Sequence, residues 1–380
     1  MNAELVSGVV GFRRRPGLDL RVGLIAPPWV AVPPPVYGGT EMVIDHLARG
    51  LSAVGCDVVL FTTGDSTCPV ERRWRYPCAL GIVADLSAEL AHVEQGYREL
   101  GDVDLIHDHT LTGPMRPELA PPGVPVVTTA HGPFTPKLGE VYAEAAHRMA
   151  VVAISQAQRD SAPQIPVAAV IHHGIDVERY PFGRGDGGYV LFLGRMSPDK
   201  GVHLAIAAAR AVGRPILLAA KMREPAERRY FTECVEPLLG PDAVYVGEIA
   251  GRHKLGLLTG AEALVNPIRW PEPFGLVMIE ALACGTPVVA FPEGSAPEII
   301  DHGRTGYLCT DEQDLADKLT VVGDLDRAAC RAAVVARFST ERMVDAHLAL
   351  YQKLLQTTVS TSAPALSMDE HRSGSRLVAA

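Results

Sequence analysis

Short runs of aliphatic and β-branched residues recur along the chain, each followed by a longer stretch whose apolar positions return every three or four residues. That alternation is the pattern of parallel strands joined by crossover helices, and it predicts an α/β fold. In the first half the runs predict strands at Arg21 to Ala26, Asp57 to Thr63, Asp104 to His109, Pro125 to His131, Val151 to Ser155 and Ala168 to His172. A helix from Thr40 to about Val54 links the first pair. The segment from Pro181 to Gly188 is polar and rich in glycine and proline, so it reads as a linker, after which the series restarts. Strands are then predicted at Tyr189 to Gly194, Pro215 to Ala220, Ala243 to Val246, Ala263 to Val265, Pro287 to Phe291 and near Tyr307, with helical periodicity from Glu312 to about Leu355. The simplest architecture is two Rossmann-like units in tandem. Residues 1–19 read as an extension, 20–182 as the first unit, 189–338 as the second, and 358–380 as a Ser/Thr-rich mobile tail. The helix near residues 340–356 is expected to pack back on the first unit.

Composition narrows the functional classes. Hydrophobic residues make up 47% of the 380 residues and charged residues 21%, enough apolar material for two cores and too little charge for a disordered chain. The formal charge of −9 leaves no broad basic footprint for DNA or RNA. The seven cysteines include no CxxC pair and no Cys/His cluster at zinc spacing, so they read as free thiols in a reducing compartment. The longest apolar runs are far shorter than a membrane span requires. At the N-terminus Val9, Val10 and Phe12 precede Arg13, Arg14 and Arg15, the reverse of a secretory signal. A cytoplasmic location is the resulting expectation.

In open parallel sheets, ligands bind outside the carboxyl ends of the strands. Residues just beyond the predicted strands are unusually polar: Trp29, Gly38-Gly39, His107 to His109 and His131 in the first unit, then Arg195, Lys200, Glu248, Asn266 and the loop Pro271 to Gly275 in the second. Two such rims would face each other across a cleft. In the loop Gly194 to Gly201, Ser197 is a fitting N-cap and Pro198 a fitting first helical residue, which places Lys200 in the first turn. The helix dipole repels a cation there, and an anion held between Arg195 and Lys200, such as a diphosphate, relieves that repulsion. A surface lysine without a role is the alternative. Gly275 lets the backbone approach a ligand, and the helix that starts there offers free N–H groups. Glu280, the only charged residue between Glu272 and Glu293, lies on a helix apolar almost all round. Such a carboxylate must be paired, for instance with an arginine, or be reserved for a ligand such as a ribose diol.

These residues also carry a resemblance. The chain resembles the family 4 glycosyltransferases of the GT-B fold, whose signature is two glutamates separated by seven residues. Glu272 and Glu280 match it, with Pro273-Phe274-Gly275 after the first. Also similar are the Arg195 and Lys200 loop, Gly38-Gly39, His131 after Val126 to Ala130, His173-Gly174-Ile175-Asp176 and Gly303-Arg304-Thr305-Gly306, so the match spans roughly residues 20 to 355. The resemblance implies two Rossmann-like domains facing across a cleft, the first binding the acceptor and the second the donor. It implies that Arg195 and Lys200 hold the donor diphosphate, Glu280 the ribose, and Glu272 with Phe274, Gly275 and Leu276 the transferred sugar. His131 would lie beside the reacting centre, and Gly38-Gly39 would approach the phosphates or the acceptor. The implied reaction retains anomeric configuration and moves a hexosyl group from a nucleotide-diphosphate sugar, with uridine preferred, to a small-molecule, glycan or lipid-linked hydroxyl. Cationic side chains would stand in for a metal, and no cofactor is implied. The chain departs from the family pattern at His173-Gly174, at Asn266-Pro267 and at the inserted Ile268-Arg269-Trp270-Pro271, which bears on the sugar preference.

Rival readings are a GT-B phosphorylase or epimerase and a catalytically silent nucleotide-sugar sensor, although the sensor would be expected to lack Glu272, Glu280 or Lys200. A nicotinamide oxidoreductase lacks support because no GxGxxG follows either first strand. In His107-Asp108-His109 only the two histidines share a strand face, a poor start for a metal site. On the acceptor side Trp29, the prolines Pro33 to Pro35, Tyr37 and His109 suggest a rigid aromatic rim, with ordinary loop packing as the alternative. The helix Glu41 to Leu51 is not basic, which disfavours docking on lipid.

Overall fold

The computed structural model describes residues 18–36, 38–81 and 85–362. It contains two parallel sheets with helices on both faces. Seven strands, β1 (Arg21–Ile25), β2 (Asp57–Thr62), β3 (Glu71–Trp74), β4 (Leu105–Asp108), β5 (Val126–Thr129), β6 (Ala150–Ala153) and β7 (Ala169–Val170), form the first in the order β3-β2-β1-β4-β5-β6-β7. Six more, β8 (Val190–Arg195), β9 (Ile216–Lys221), β10 (Ala243–Gly247), β11 (Leu264–Asn266), β12 (Val288–Ala290) and β13 (Gly306–Leu308), form the second in the order β10-β9-β8-β11-β12-β13. Sheets covered on both faces are built from near-continuous apolar runs, and β2 buries five of its six residues. The strand order reverses between β1 and β4 in one sheet and between β8 and β11 in the other. Ligand crevices in such sheets open at those switch points.

The helix Gly39–Val54 turns Val43, Ile44, Leu47 and Leu51 into the first core and ends on Gly55, whose φ of 110° suits glycine. Across the chain, Thr340–Ser362 forms one helix that sends Met343, Val344, Leu348 and Tyr351 into that same core. Its backbone stays helical to Ser362, so the expected tail starting at 358 is corrected by at least one helical turn; residues 363–380 and 1–17 lie outside the described residues. The segment read as a linker is pinned in place: Gly183, Gly185 and Gly187 donate to the carbonyls of Cys284, Thr259 and Gly260. Elements without a counterpart in the sequence reading include β3 and the helices Leu86–Glu99, Pro136–Ala145 and Gly251–Gly260.

The two units are tied away from the cleft as well. Glu298 of the second unit accepts hydrogen bonds from the backbone N–H groups of Gln156 (2.9 Å) and Ala157 (2.8 Å), which follow β6, and from His172 Nε2 (2.7 Å).

Candidate functional site

A cleft of about 350 Å³ opens between the carboxyl rims of the sheets, lined by Gly38, Gly39 and His131 from one side and by Lys200, Glu272, Gly275 and Glu280 from the other. Phe274, Leu276 and Asn266 complete the second wall. The volume falls within the range of small-ligand pockets.

Lys200 reaches the cleft by a route that differs from the sequence expectation. After β8 the chain makes a 3-10 turn, Pro198–Lys200, passes through Gly201 with φ 71°, and only then enters the helix Val202–Ala211. A Cβ at Gly201 would lie 2.3 Å from the Pro267 carbonyl oxygen, so glycine is required there. Ser197 makes no capping bond and its hydroxyl is buried without a partner. Lys200 therefore precedes the helix instead of opposing its dipole from the first turn. What positions it is an ion pair with the Glu272 carboxylate, and its ammonium sits 5.3 Å from the centre of the Trp270 ring. At 8% exposure this cation is nearly buried. Trp270 comes from the inserted segment, a contact that the sequence did not disclose.

Arg195 is placed beside the cleft and not in its lining. It ends β8, and its guanidinium donates to Asp199 Oδ2 at 3.3 Å, with the side chain about a third exposed. Glu248 is engaged elsewhere too, accepting from Arg223.

Glu280 is 6% exposed on the helix Leu276–Ala283, and it is paired, although not with an arginine. Its Oε1 accepts from Lys254 Nζ at 2.6 Å and from the Tyr180 hydroxyl at 3.0 Å. Both bonds use one oxygen, which leaves Oε2 for an incoming hydroxyl. Lys254 also lines the cleft. It lies on the helix Gly251–Gly260, which buries only Leu258, so no apolar periodicity marked it in the sequence.

On the opposite wall His131 follows β5 and is half-buried. Its Nε2 is 2.9 Å from His109 Nδ1, and its ring stacks on His173 with centroids 5.2 Å apart. Behind it the rings of His109 and His107 are 4.0 Å apart, and His107 bonds the Tyr351 hydroxyl (2.6 Å) and Thr129 Oγ1 (2.7 Å). Burial pushes the His131 imidazole down to about 3 and holds His107, His109 and His173 well below the usual histidine range. These rings are therefore neutral at physiological pH. Asp108 points the other way, to the Tyr97 hydroxyl, and among the described residues no group of three or more His, Cys, Asp or Glu is placed to hold a metal ion.

The aromatic acceptor rim is also corrected. Trp29 is 8% exposed and absent from the cleft lining, because its loop folds under the segment whose Leu80 and Gly81 amides bond the carbonyls of Pro28 and Trp29. His109 is buried behind His131 instead of facing an acceptor. Tyr37 lies outside the described residues.

Residues 37–179 match the family described as Glycosyltransferase Family 4, and residues 179–329 match Glycosyl transferases group 1. The chain is 30% identical to an alpha-maltose-1-phosphate synthase of Mycolicibacterium smegmatis, over 85% of this chain and 97% of that one. The chain belongs to the family 4 glycosyltransferases. It is 28% identical to a glycogen synthase of Mycobacterium tuberculosis, over 80% of this chain and 87% of the other. Among solved structures, AviGT4, a glycosyltransferase involved in avilamycin A biosynthesis, matches with a TM-score of 0.69 and 28% identity, over 89% of this chain and 99% of that chain. Two parallel-sheet domains enclosing a cleft are the GT-B architecture, and this glycosyltransferase has it. Among the described residues no helix is long and apolar enough to cross a membrane.

Proposed function

We propose that this enzyme is a retaining hexosyltransferase that takes its sugar from a nucleoside-diphosphate donor, a UDP-sugar before others, and passes it in the cytoplasm to a hydroxyl-bearing acceptor. The observation that carries the reading is the pairing of Lys200 with Glu272 on the cleft wall, next to Glu280 with one oxygen unoccupied. A nucleotide sugar offers one ligand group to each: its phosphates to Lys200, its sugar hydroxyls to Glu272 and its ribose diol to Glu280 Oε2. Arg195 would reach the diphosphate by exchanging Asp199 for it. In the reaction the bond between C1 and the diphosphate oxygen breaks, and the acceptor oxygen bonds to C1 on the same face. The acceptor's proton passes to the departing diphosphate. Negative charge grows on that leaving group, so a preorganised, nearly dry ammonium lowers the barrier. Gly38 and Gly39, at the mouth of the helix Gly39–Val54, would bring backbone N–H groups to the same phosphates.

A thermal-shift panel of UDP-, GDP- and ADP-sugars tests the donor class, because a ligand that binds only the folded state raises the melting temperature. UDP-sugars are expected to give the largest shift, and a flat response to every nucleotide sugar would overturn the reading. Turnover is expected to survive excess EDTA, since the side chains supply the positive charge; loss that magnesium or manganese restores would refute the metal-free mechanism.

Glu280→Gln is expected to weaken donor binding by roughly tenfold or more, the worth of a hydrogen bond to a charged group. The amide keeps the volume and the contact with Tyr180 while it loses the charge that faces Lys254. Calorimetric titration with the nucleoside diphosphate reads this directly, and unchanged affinity would remove Glu280 from the donor site.

A further inference from the structure

We infer that His109 is a positioning residue: by donating its Nδ1–H to His131 Nε2, it places the single ring hydrogen of His131 on Nδ1 and so makes that histidine a hydrogen-bond donor to the cleft. The inference rests on the reading of His131 as a residue beside the reacting centre, and it adds which nitrogen acts and what sets it.

The 2.9 Å contact between the two rings needs one hydrogen, and two neutral imidazoles can supply it in two ways. His109 is 4% exposed, and its other nitrogen, Nε2, is buried without a partner. If His109 carried its hydrogen on Nε2, a buried N–H would be left with no acceptor, which folded proteins rarely tolerate. With the hydrogen on Nδ1, the orphan is only a lone pair and the short contact is a proper bond. His131 Nε2 is then the acceptor, and a neutral ring must hold its hydrogen on Nδ1. That nitrogen has no protein partner among the described residues, and the ring lines the cleft. Stacking against His173 at an interplanar angle of 22° resists the ring flip that would put Cε1 in place of Nε2 and break the bond to His109. His109 is fixed in turn by the His107 ring, which Tyr351 and Thr129 hold from both of its nitrogens. The outcome is a donor aimed at sugar hydroxyl oxygen, and not a base that removes the acceptor's proton.

The direct test is long-range 1H–15N correlation on the full chain labelled at histidine nitrogen, with His131 assigned by the signals lost in His131→Ala. A pyrrole-type Nδ1 and a pyridine-type Nε2 are expected at pH 7.5, and the opposite pattern would overturn the inference whatever the activity. The kinetic test uses two variants, because the Asn amide nitrogen superposes on histidine Nδ1 while Leu fills the space without a donor. His109→Leu is expected to lower kcat by about 10- to 100-fold, the usual effect of losing a group that orients a functional histidine. Donor affinity should hold within about twofold, as for an interaction made chiefly in the transition state. His109→Asn should recover most of kcat. Equal losses in both variants would reduce His109 to a packing role and overturn the inference. If His131→Ala turned over normally, the placing of His131 at the reaction would fall, while the nitrogen shifts would still decide the tautomer.

Discussion

Lys200→Ala is expected to lower the turnover number by a factor on the order of 10² to 10³, as removal of one preorganised electrostatic stabiliser does in other enzymes. Donor affinity falls less, because the phosphates in the ground state are already hydrated and the added charge develops only as the C1–oxygen bond breaks. The nearly buried ammonium, held by Glu272 and the Trp270 ring, loses little to solvent screening, which is why its effect exceeds that of Arg195. Lys200 and Glu272 touch, so their effects are coupled: the double variant Lys200→Ala with Glu272→Gln is less impaired than the product of the two singles. Saturating-donor kinetics on the three variants measure this. Normal turnover in Lys200→Ala, or strictly multiplicative losses, would show that the pair is not the phosphate and sugar clamp. Arg195→Ala has the smaller expected effect because its partner is Asp199 and its side chain lies off the cleft.

The second large effect is acid destabilisation. Burial lowers His92 and His347 to about 4 and His131 to about 3, with His107, His109 and His173 well below their usual range. In the unfolded chain each of these groups takes up a proton near pH 6.5, while in the folded chain it does not until much lower. A lowered native value contributes stability that is intact above pH 6.5 and is lost as pH falls toward the native value. Each unit of difference is about 1.4 kcal/mol, so His92 and His347 alone withdraw several kcal/mol between pH 6.5 and 4, comparable to the whole stability of a typical domain. Burial also raises the Glu41 and Glu89 carboxyls to about 7, which returns part of this stability as they take up protons, so the melting temperature should fall across that window by the excess of the six histidines over those two groups. Thermal melts from pH 8 to 4 check it, and a flat profile between pH 7 and 5 would contradict the neutral state of the buried histidines.

Strands such as β2 and β8 were legible because parallel strands covered on both faces must be apolar throughout, and the chain marks them with uninterrupted runs. The edge strand β3 reads Glu-Arg-Arg-Trp and pairs along one side only, so nothing apolar announces it. The helix Leu86–Glu99 carries Glu89 and His92 on its buried face, which breaks the expected apolar stripe. At the site, Glu272, Gly275 and Glu280 were legible because a carboxylate or a glycine in an apolar stretch needs a reason. Lys254 was not, since a lysine on a polar helix looks like any other until folding brings it to Glu280 across 26 positions. Ser197 and Trp29 misled for the opposite cause. Their local chemistry suits a cap and a rim, and tertiary packing buried both.

Three cations lie in or beside the cleft, and each holds a carboxylate: Arg195 with Asp199, Lys200 with Glu272, Lys254 with Glu280. Among the described residues, the two lysines that line the cleft, Lys200 and Lys254, are both paired. Inorganic phosphate can take a lysine only by stranding the largely buried carboxylate left behind, a costly exchange. A nucleotide sugar bound as proposed would bring hydroxyls for Glu272 and Glu280 along with phosphates for the cations, so both lysine pairs would be re-satisfied at once. On the proposed donor reading, the cleft would favour ligands that carry both hydroxyls and phosphates over simple anions, without a gate.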